Sequence, residues 1–379
     1  MAGGDVVIVG GGVIGLSLAY ALAREGVAAT VLDRAEMGRA ASWAGAGIIS
    51  PAATKPTTNP LSALRSRSAR LYPEWSAALA EETGIDNGYR LSGGVDVAAD
   101  AEERDGLAAS AIRWQEEGIT FQRLGPGEFL EVEPALNPGL VAAYYLPDRA
   151  QVRNPRHVRA LTVAATRRGA ILRPGLGATG LRIAAGRVVA IETAQGEIPC
   201  GWAVVAAGPW SESILKSAGL LVPTPPIKGQ IVLLRGERPI LTRIVEHGAN
   251  YLVPRDDGRI LAGATEEDAG FDTRTTPEAL RDLVAEARRL CPALVGAEVE
   301  RSWAGLRPGS LDGRPYLGRA PGFENLVIAT GHRRAGLQLS PATAEALADL
   351  ILGRPPRLDL APFLPGRTTG PVLADAFRS

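Results

Sequence analysis

The sequence is poor in the residues that usually hold disulfide bonds and metal ions. Its 379 residues include two cysteines and three histidines. Cys200 and Cys291 lie far apart in the chain, which excludes a disulfide framework. Neither an HExxH nor a CxxC pattern occurs, so no metal site is predicted. This cysteine usage fits a reducing compartment, and we expect the protein to be cytoplasmic.

An excess of charge and long apolar runs are also missing. The 41 lysine and arginine residues balance the 41 aspartate and glutamate residues. The net charge therefore indicates neither a nucleic-acid partner nor an anionic membrane surface. No stretch reaches the roughly 20 apolar residues that a membrane span requires. The apolar N-terminus lacks a preceding basic region and is interrupted by glycines, which favours a strand and a turn over a signal peptide.

The N-terminal segment has the pattern of a dinucleotide-binding βαβ unit. The apolar run at residues 5–9 predicts a buried parallel strand, and Gly10-x-Gly12-x-x-Gly15 follows it at the start of a predicted helix. A second predicted strand ends at Asp33. Such glycines allow a tight turn and close approach of a pyrophosphate, and the acid accepts hydrogen bonds from a ribose. We predict dinucleotide binding here, although the pattern does not distinguish NAD from FAD.

The rest of the chain alternates between two kinds of pattern. Helical spacing predicts helices at residues 62–82, 101–117, 158–168, 276–291 and 340–352. Strand patterns with turn residues between them occupy residues 171–206, 230–234, 251–254, 260–264 and 326–329. A nucleotide domain built from several separated segments, with a second domain inserted between them, explains this alternation best.

Four later segments resemble the motifs of one enzyme family. They are residues 41–51 (ASWAGAGIISP), 251–255 (YLVPR), 305–315 (GLRPG followed by DGRP) and 331–343 (GHRRAGLQLSPAT). Together they are similar to segments of the FAD-dependent amine and amino-acid oxidases, the D-amino-acid oxidase-like superfamily. The resemblance is greatest to its glycine oxidase branch, which is associated with thiamine biosynthesis.

The resemblance implies an α/β fold in which a Rossmann-like FAD-binding domain is interleaved with an α+β substrate domain built on an antiparallel sheet. Residues 1–85, 142–220 and 305–365 are expected to form the FAD-binding domain, residues 86–141 and 221–304 the substrate domain, and residues 366–379 a C-terminal tail. Relatives of this type often form homo-oligomers, and we expect the same here.

The resemblance also implies noncovalent FAD, because neither cysteine falls in the segments where sarcosine oxidase-like relatives attach flavin. Asp33 stands where the family usually has glutamate, with the same acceptor chemistry. The last helix is expected to point its N-terminus at the flavin, where reduction places negative charge. The other implied cofactor contacts are Val13, Ile14, Arg34, Ala41, Ser42, Ala46, Gly47, Ile48, Ile49, Ala178, Ala207, Gly208, His332, Arg333, Arg334, Ala335, Gly336, Leu337 and Gln338. Arg333 is expected to face solvent or an interface.

An amino-acid substrate needs a permanent cation for its carboxylate, since the cofactor supplies the redox chemistry. Only three of the 41 basic residues are lysines, so a single arginine carries weight only inside a motif. Arg307, in a predicted GLRP turn, is expected to bind the carboxylate bidentately. Tyr251 is expected to donate its hydroxyl, and Arg334 to contact the carboxylate or the flavin. Glu266, after a predicted strand, is expected to alter substrate preference.

The predicted reaction is the oxidative deamination of glycine or another small amino acid or amine. A hydride passes from Cα to flavin N5, O2 reoxidises the flavin and yields H2O2, and the imine hydrolyses to an oxo acid and ammonia or an amine. No side-chain acid or base is predicted, because a neutral amine in a dry pocket gives up hydride directly. The alternatives are a D-amino-acid or proline-type dehydrogenase that reduces a quinone, and a redox-inert flavin-binding protein. A nicotinamide dehydrogenase would leave residues 331–343 unexplained.

Overall fold

The computed structural model describes residues 6–125, 127–236 and 238–367. Asp5 of the first predicted strand and residues 368–379 of the predicted tail lie outside these ranges. The helices are α1 Val13–Arg24, α2 Ala41–Ala44, α3 Pro60–Thr83, α4 Ala101–Glu117, α5 Glu128–Val132, α6 Asn154–Arg167, α7 Ser211–Lys216, α8 Pro277–Leu290 and α9 Gly336–Ile351. Among the described residues, none of the helices is both long and apolar enough to cross a membrane.

The strands complete an α/β fold, as predicted. They are β1 Val6–Val9, β2 Ala29–Asp33, β3 Ile48–Ile49, β4 Arg90–Leu91, β5 Gly94–Ala98, β6 Gln122–Leu124, β7 Ala142–Leu146, β8 Ala150–Gln151, β9 Ile171–Pro174, β10 Ala178–Ala184, β11 Arg187–Thr193, β12 Gly196–Pro199, β13 Trp202–Val205, β14 Pro226–Arg235, β15 Ile244–His247, β16 Asn250–Pro254, β17 Arg259–Gly263, β18 Glu298–Pro308, β19 Tyr316–Arg319 and β20 Leu326–Thr330.

A six-stranded sheet carries the N-terminal unit, in the order β19-β20-β13-β1-β2-β9. Its pairs are parallel except for β19 with β20. Residues of α1, α6, α3 and α9 form a core on one face, and a second core lies on the other. Because both faces are covered, β1 and β20 are buried at every position, as their apolar sequences predict.

Glycine is sterically required where β1 turns into α1. Gly10 has a φ of +113°, and a Cβ on it would lie 2.5 Å from the carbonyl carbon of Ala206. A Cβ on Gly15 would collide with the carbonyl of Gly10. The turn therefore brings the N-terminus of α1 against the end of the sheet with no side chain between them.

A second sheet of eight strands has the order β18-β14-β17-β16-β15-β5-β7-β6. It is antiparallel except where β15 pairs with β5. One face packs on α8 and α5 in an apolar core that includes Leu283, Leu290 and Phe129. The opposite face packs against Ala46 and Ile48 of residues 41–51, which we call the small-residue loop. The two sheets therefore meet across this loop.

Strand register brings residues from distant parts of the chain into one row on that second face. The row, which we call the central row, contains Trp303, Ile231, Gly263, Tyr251, Glu246 and Asp96 in order across the sheet. Direct partners on neighbouring strands share a face, with Cβ atoms about 5 Å apart. The central row therefore sets the order of side chains along one wall of the space between the sheets.

The prediction of a turn at the GLRP motif is wrong. Arg307 lies in β18, which pairs with β14 as far as Pro308. Gly305 is needed because a Cβ there would lie 2.6 Å from Cβ of Ala44. Glycine and proline at this place thus reflect close packing and a strand end rather than a turn.

The last helix begins at Gly336, four residues before the predicted start. Pro341 inside it cannot donate a backbone hydrogen bond to the carbonyl of Leu337. The Tyr72 hydroxyl donates to that carbonyl at 2.5 Å, and the Ser340 hydroxyl at 2.9 Å. These two hydroxyl groups replace the backbone hydrogen bond that Pro341 cannot make, which explains why the helix continues past the proline.

Strand pairing moves two borders of the predicted domains. β7 pairs with β5 and β6 in the eight-stranded sheet, whereas the prediction places residues 142–146 in the FAD-binding domain. The end of β18, residues 305–308, also pairs in that sheet. The division into two domains itself stays a prediction.

Candidate active site

One cavity of about 1260 Å³ lies between the two sheets. It runs from the end of β2 past the N-terminus of α1 and the small-residue loop to the central row, and continues along α4. This volume exceeds the roughly 300–1000 Å³ that is typical of sites for drug-sized ligands. The cavity can therefore hold a dinucleotide and a small second ligand together.

Asp33 marks one end of the cavity. Its Oδ2 accepts a hydrogen bond from the Gly11 N–H at 2.8 Å, and its Oδ1 accepts one from the Ala35 N–H at 2.9 Å. Burial raises the pKa of Asp33, while the N–H groups of Ala35 and Gly11 oppose the rise. A carboxylate oxygen has two lone pairs, so each can still accept a hydrogen bond from a ribose hydroxyl.

The N-terminus of α1 offers backbone donors to the middle of the cavity. Gly12 is the N-cap and makes no side-chain capping bond. The Val13 N–H donates to Ser42 Oγ at 2.9 Å. A Cβ on Gly12 would meet only Ser42 Oγ, at 3.2 Å, so the absence of a side chain keeps this surface open toward the cavity. A helix N-terminus of this kind favours a phosphate group.

A buried arginine fixes the small-residue loop. Arg255 donates from Nη2 to the carbonyl of Ala46 at 2.6 Å, and from Nη1 to Gln151 Oε1 at 2.8 Å and the carbonyl of Val152 at 3.1 Å. Burial lowers the pKa of Arg255 to about 9. Carbonyl oxygens thus take the place of a carboxylate partner, and the loop is held against β8 and β16 where Gly47 borders the cavity.

Arg307 and Tyr251 lie side by side at the other end of the cavity. The guanidinium of Arg307 crosses Gly229, where a Cβ would lie 2.5 Å from Cζ. Arg307 Nη1 donates to the carbonyls of Thr265 at 3.0 Å and Lys228 at 3.4 Å. The Tyr251 hydroxyl lies over Gly263, where a Cβ would be 2.7 Å away. Two glycines on neighbouring strands therefore leave the space in which these two side chains lie.

The charge states of this pair suit a carboxylate ligand. Burial raises the pKa of Tyr251, so its hydroxyl stays neutral and can donate. Burial also lowers the pKa of Arg307, but the ordinary pKa of a guanidinium is so high that the group stays protonated. The backbone contacts of Arg307 use only Nη1, which leaves the planar edge formed by its other nitrogens for a ligand.

Glu266 holds two arginines together at this end. Its Oε1 pairs with Nη2 of Arg333, and its Oε2 lies 3.0 Å from Nη2 of Arg334. These arginines lower the pKa of Glu266 against the effect of burial. Arg333 and Arg334 line the cavity, whereas Glu266 is absent from the described lining. Arg333 was expected to face solvent or an interface; its side chain is 18% exposed and is held by the ion pair at the cavity rather than extended into solvent.

Most of the predicted cofactor contacts line the cavity, and two do not. Gly15 packs on the Gly10 carbonyl, and Ile49 packs with Tyr72 and Val152 in a separate core. Buried His332 does line the cavity, and burial lowers its pKa to about 3. The others that line it are Gly10, Gly12, Val13, Ile14, Asp33, Arg34, Ala41, Ser42, Ala46, Gly47, Ile48, Ala178, Ala207, Gly208, Arg333, Arg334, Ala335, Gly336, Leu337 and Gln338. Their roles in binding stay predictions.

Sequence reasoning missed a group of buried charges beside Tyr251. Arg149 is fully buried and pairs with Asp96 and with Glu246. Glu246, Asp96 and Arg65 also line the cavity. The available signal was Glu246 itself, a charged residue that directly follows the buried Ile244 and Val245 in β15. Within the described part of the chain, no cluster of histidine, cysteine and acidic side chains has the arrangement of a metal site.

Comparisons with known proteins agree with this architecture. The family model described as FAD dependent oxidoreductase matches residues 5–350. The glycine oxidase of Pseudomonas putida is 39% identical over 363 residues, which is 95% of this chain and 98% of that protein. The crystal structure of glycine oxidase from Geobacillus kaustophilus matches with a TM-score of 0.93 at 35% identity, and the match covers 97% of this chain and 99% of that one. The bifunctional protein ThiO/ThiG of Trichormus variabilis is 35% identical over 358 residues, which is 92% of this chain and 52% of that protein.

Proposed function

Because the chain belongs to the FAD-dependent oxidoreductase family, we propose that it oxidises glycine or a similarly small amino acid at Cα. The observation that carries this proposal is the placement of Arg307 and Tyr251 side by side at the far end of a cavity sized for a dinucleotide. A carboxylate clamp at that place has a purpose only if an acid substrate is held there.

The residues along the cavity fit FAD. Asp33 would accept hydrogen bonds from the ribose, and the backbone N–H groups at the start of α1 would bind the diphosphate. The start of α9, where the N-cap residue Ala335 makes no side-chain capping hydrogen bond, would face the flavin ring and stabilise negative charge on it. When bound, FAD supplies the acceptor for two electrons and a hydrogen from the substrate.

We propose that this FAD is noncovalent. Cys200 and Cys291 are absent from the described cavity lining, and burial raises the pKa of both thiols to about 11. A thiol that is protonated and away from the cofactor does not attack it.

The substrate carboxylate would bind to the planar edge of Arg307 and to the Tyr251 hydroxyl. Each hydrogen bond to a charged group contributes roughly 1.5–3 kcal/mol. Because Glu266 already pairs with Arg334, Arg307 is the principal cation for the substrate, and Arg334 adds to the positive field around it. The remainder of the small substrate would then extend from this anchor toward the flavin ring.

We propose O2 as the electron acceptor, with release of H2O2 and hydrolysis of the imine. A dehydrogenase that reduces a quinone is the alternative among enzymes, and a redox-inert flavin-binding protein is the alternative outside them. The cytoplasmic location, the homo-oligomer and a role in thiamine biosynthesis belong to the same proposal, and the ThiO/ThiG relative supports the last of these.

The test is to mix the purified yellow protein with glycine, sarcosine, D-alanine or D-proline without oxygen and to follow the flavin absorbance. Bleaching by one of these amines, followed by H2O2 release when oxygen is admitted, supports an oxidase. Bleaching without oxygen consumption would favour the quinone dehydrogenase, and no bleaching by any amine would contradict the proposal.

Matched arginine variants make this test specific. Arg307→Lys should need about 100-fold more substrate for half-maximal bleaching, because lysine lacks the bidentate fork. Arg301→Lys is the control, since Arg301 is an exposed residue of the same strand β18. Equal behaviour of the two variants would contradict the assignment of Arg307.

A further inference from the structure

Glu266 is fixed by the two residues that flank it in the chain. The Thr265 hydroxyl accepts a hydrogen bond from the Gln230 N–H at 2.9 Å. Glu267 exchanges two backbone hydrogen bonds with Lys228, each 3.0 Å long. Because Gln230 and Lys228 both belong to β14, the segment after β17 stays attached to the eight-stranded sheet. Glu266 therefore has a defined place although it belongs to a loop.

Three arginines surround this place, and Glu266 is the acid among them. Arg307 donates from Nη1 to the carbonyl of Thr265, the residue before Glu266, at 3.0 Å. Glu266 Oε1 pairs with Nη2 of Arg333, and its Oε2 lies 3.0 Å from Nη2 of Arg334. Burial lowers the pKa of Arg307, the two other arginines lower it further, and Glu266 opposes them. The four charges therefore act on one another, and positive charge is in excess.

The backbone conformation of Arg333 is a second sign that this group of charges has a role. Its φ is +49°, in the left-handed region that residues other than glycine rarely adopt. Such strained residues persist where the surrounding structure holds them, and they concentrate at ligand-binding sites. Residues 333–335 contact β18, and the side chain of Arg333 pairs with Glu266. These contacts hold the arginine against the strand that carries Arg307.

Glu266 determines which arginines are available to a ligand. Arg333 and Arg334 line the cavity, whereas Glu266 is outside its described lining. Each of these two arginines already has Glu266 as a carboxylate partner. Arg307, by contrast, makes hydrogen bonds only to backbone carbonyls within the described part of the chain. A ligand carboxylate therefore finds an uncompensated cation at Arg307. At the other two arginines it has to compete with Glu266 and lies close to a like charge.

We propose that Glu266 restricts the substrate to amino acids with a single acid group, an inference that rests on the proposed function. The carboxylate on Cα binds to Arg307. Glu266 occupies the guanidinium groups that a second acid group of the substrate would need, and its charge repels that group. Discrimination between similar ligands commonly uses a competing or repulsive element of this kind. Glu266 thus acts on specificity through Arg333 and Arg334 and does not itself contact the substrate.

Removal of this carboxylate should reverse the discrimination. Glu266→Gln keeps the size of the side chain but cannot neutralise an arginine. Glu266 would then no longer compensate the positive charge of Arg333 and Arg334 at the wall of the cavity. A second acid group of the same ligand would form charge-assisted hydrogen bonds with them. The variant should therefore accept amino acids with two acid groups, such as D-aspartate.

The test titrates the FAD-bound protein with acetate, malonate and succinate at about pH 8, where carboxylic acids are ionised, and follows the flavin absorbance. These acids carry no amine to be oxidised, so the measurement does not depend on turnover. In wild type, the dissociation constants of both diacids should lie within about threefold of that of acetate, since the second carboxylate finds no uncompensated cation. In Glu266→Gln, at least one diacid should bind at least about 10-fold tighter than acetate. A merely structural disturbance would weaken the binding of all three acids alike and leave these ratios unchanged.

Asp268→Asn is the matched control, because it removes the same charge from an exposed residue of the same loop. Asp268 is outside the described cavity lining, so this variant should keep the wild-type ratios. Wild-type ratios in Glu266→Gln overturn the proposal, and so does a wild type that already binds a diacid at least about 10-fold tighter than acetate. If Glu266→Gln does not retain FAD, Glu266→Met, which also lacks the charge, carries the same expectation and the same contrary outcome.

Failure of the proposed function is distinct from failure of this inference. A wild type that no amine bleaches would contradict the oxidase proposal, yet titration with the three acids would still show whether Glu266 limits a ligand to one acid group. Conversely, bleaching by glycine together with unchanged ratios in Glu266→Gln would overturn only the role of Glu266.

Discussion

The two sheets of this protein line the cavity with different parts of the chain. The six-stranded sheet offers main-chain groups, such as the N–H groups at the start of α1 and the open surface at Gly12. The eight-stranded sheet offers side chains that stand in or beside one row on its face, namely Arg307, Tyr251 and Glu246. The groups that could bind a ligand therefore lie at strand ends in the first sheet and on one face in the second.

Burial explains this difference. Strands β1 and β20 are covered on both faces, so their side chains must be apolar and only the strand ends remain for binding. The eight-stranded sheet packs on α8 and α5 with one face only. Its other face is free to carry charged and hydroxyl side chains into the cavity. The main-chain site should therefore respond to steric changes at glycines, and the side-chain site to changes in charge.

The largest effect is expected at Gly15. Gly15→Ala should prevent folding or lower the free energy of unfolding by about 3 kcal/mol, because its Cβ would overlap the Gly10 carbonyl, which cannot move away. Gly12→Ala should leave the unfolding temperature of the apoprotein unchanged and raise the FAD dissociation constant at least about 10-fold. Thermal unfolding and fluorescence titration with FAD measure the two effects. An equal loss of stability in both variants would contradict the assignment of Gly15 to packing and Gly12 to FAD binding.

The next effect is expected at Arg307. Arg307→Met should lower kcat/KM for the preferred amine about 1000-fold, since at least two charged hydrogen bonds are lost. The FAD dissociation constant should stay within about twofold of wild type, because the cofactor end is held by main-chain groups. Steady-state kinetics and FAD titration of the same preparation test both statements. Loss of both FAD binding and activity would contradict the idea that Arg307 binds the substrate while main-chain groups at the other sheet bind FAD.

A smaller effect is expected at Gly229, which has no side chain of its own to contribute. Gly229→Ala places a Cβ within 2.5 Å of Arg307 Cζ. Because the guanidinium is the end of a flexible side chain, it should shift rather than unfold the sheet, and kcat/KM should fall roughly 10- to 100-fold. Gly296→Ala, whose Cβ would meet nothing within 4 Å, is the control and should behave as wild type. A stable Gly229→Ala protein with full activity would contradict the assigned position of Arg307.

The smallest effect concerns pH and the end of β15, where His247 pairs with acids of α4 and α8. Glu286 and Glu103 each lie 2.8 Å from the His247 ring, and their hydrogen bonds raise the pKa of His247. A raised pKa in the folded state means that the stabilisation is complete below the ordinary histidine value of about 6.5 and is lost as pH rises through the folded value. The unfolding temperature of wild type should fall by at most ~2 °C as the pH rises through this range. His247→Asn should remove this pH dependence, and its persistence in the variant would assign it to another group.

The cofactor end of the site could be predicted because its parts are close in sequence. Strand, glycine turn, helix and Asp33 follow one another within one unit, and each leaves a local pattern of burial or spacing. The small-residue loop and the segment at residues 331–343 were found through their motifs, and Arg307 through the residues around it. The strand that carries Arg307 was missed because glycine and proline around it imitate a turn.

The acids of the central row could not be predicted in the same way. Asp96 and Glu246 lie on strands whose pairing depends on the whole sheet, and Arg149 reaches both from a third segment. A charged residue in an apolar strand signals that something compensates its charge, but it does not identify the partner. The continuation of α9 through Pro341 depends in the same way on Tyr72, a residue of another helix.

The sequence by itself determined the βαβ unit, because backbone geometry and local periodicity express it within a short segment. FAD and the arginine expected to bind a carboxylate followed from the resemblance of short motifs to one family. Only the tertiary structure decided which charges face one another, since register across eight strands sets those distances. Burial makes these distances important, because the few charges near a buried carboxylate determine whether it is protonated.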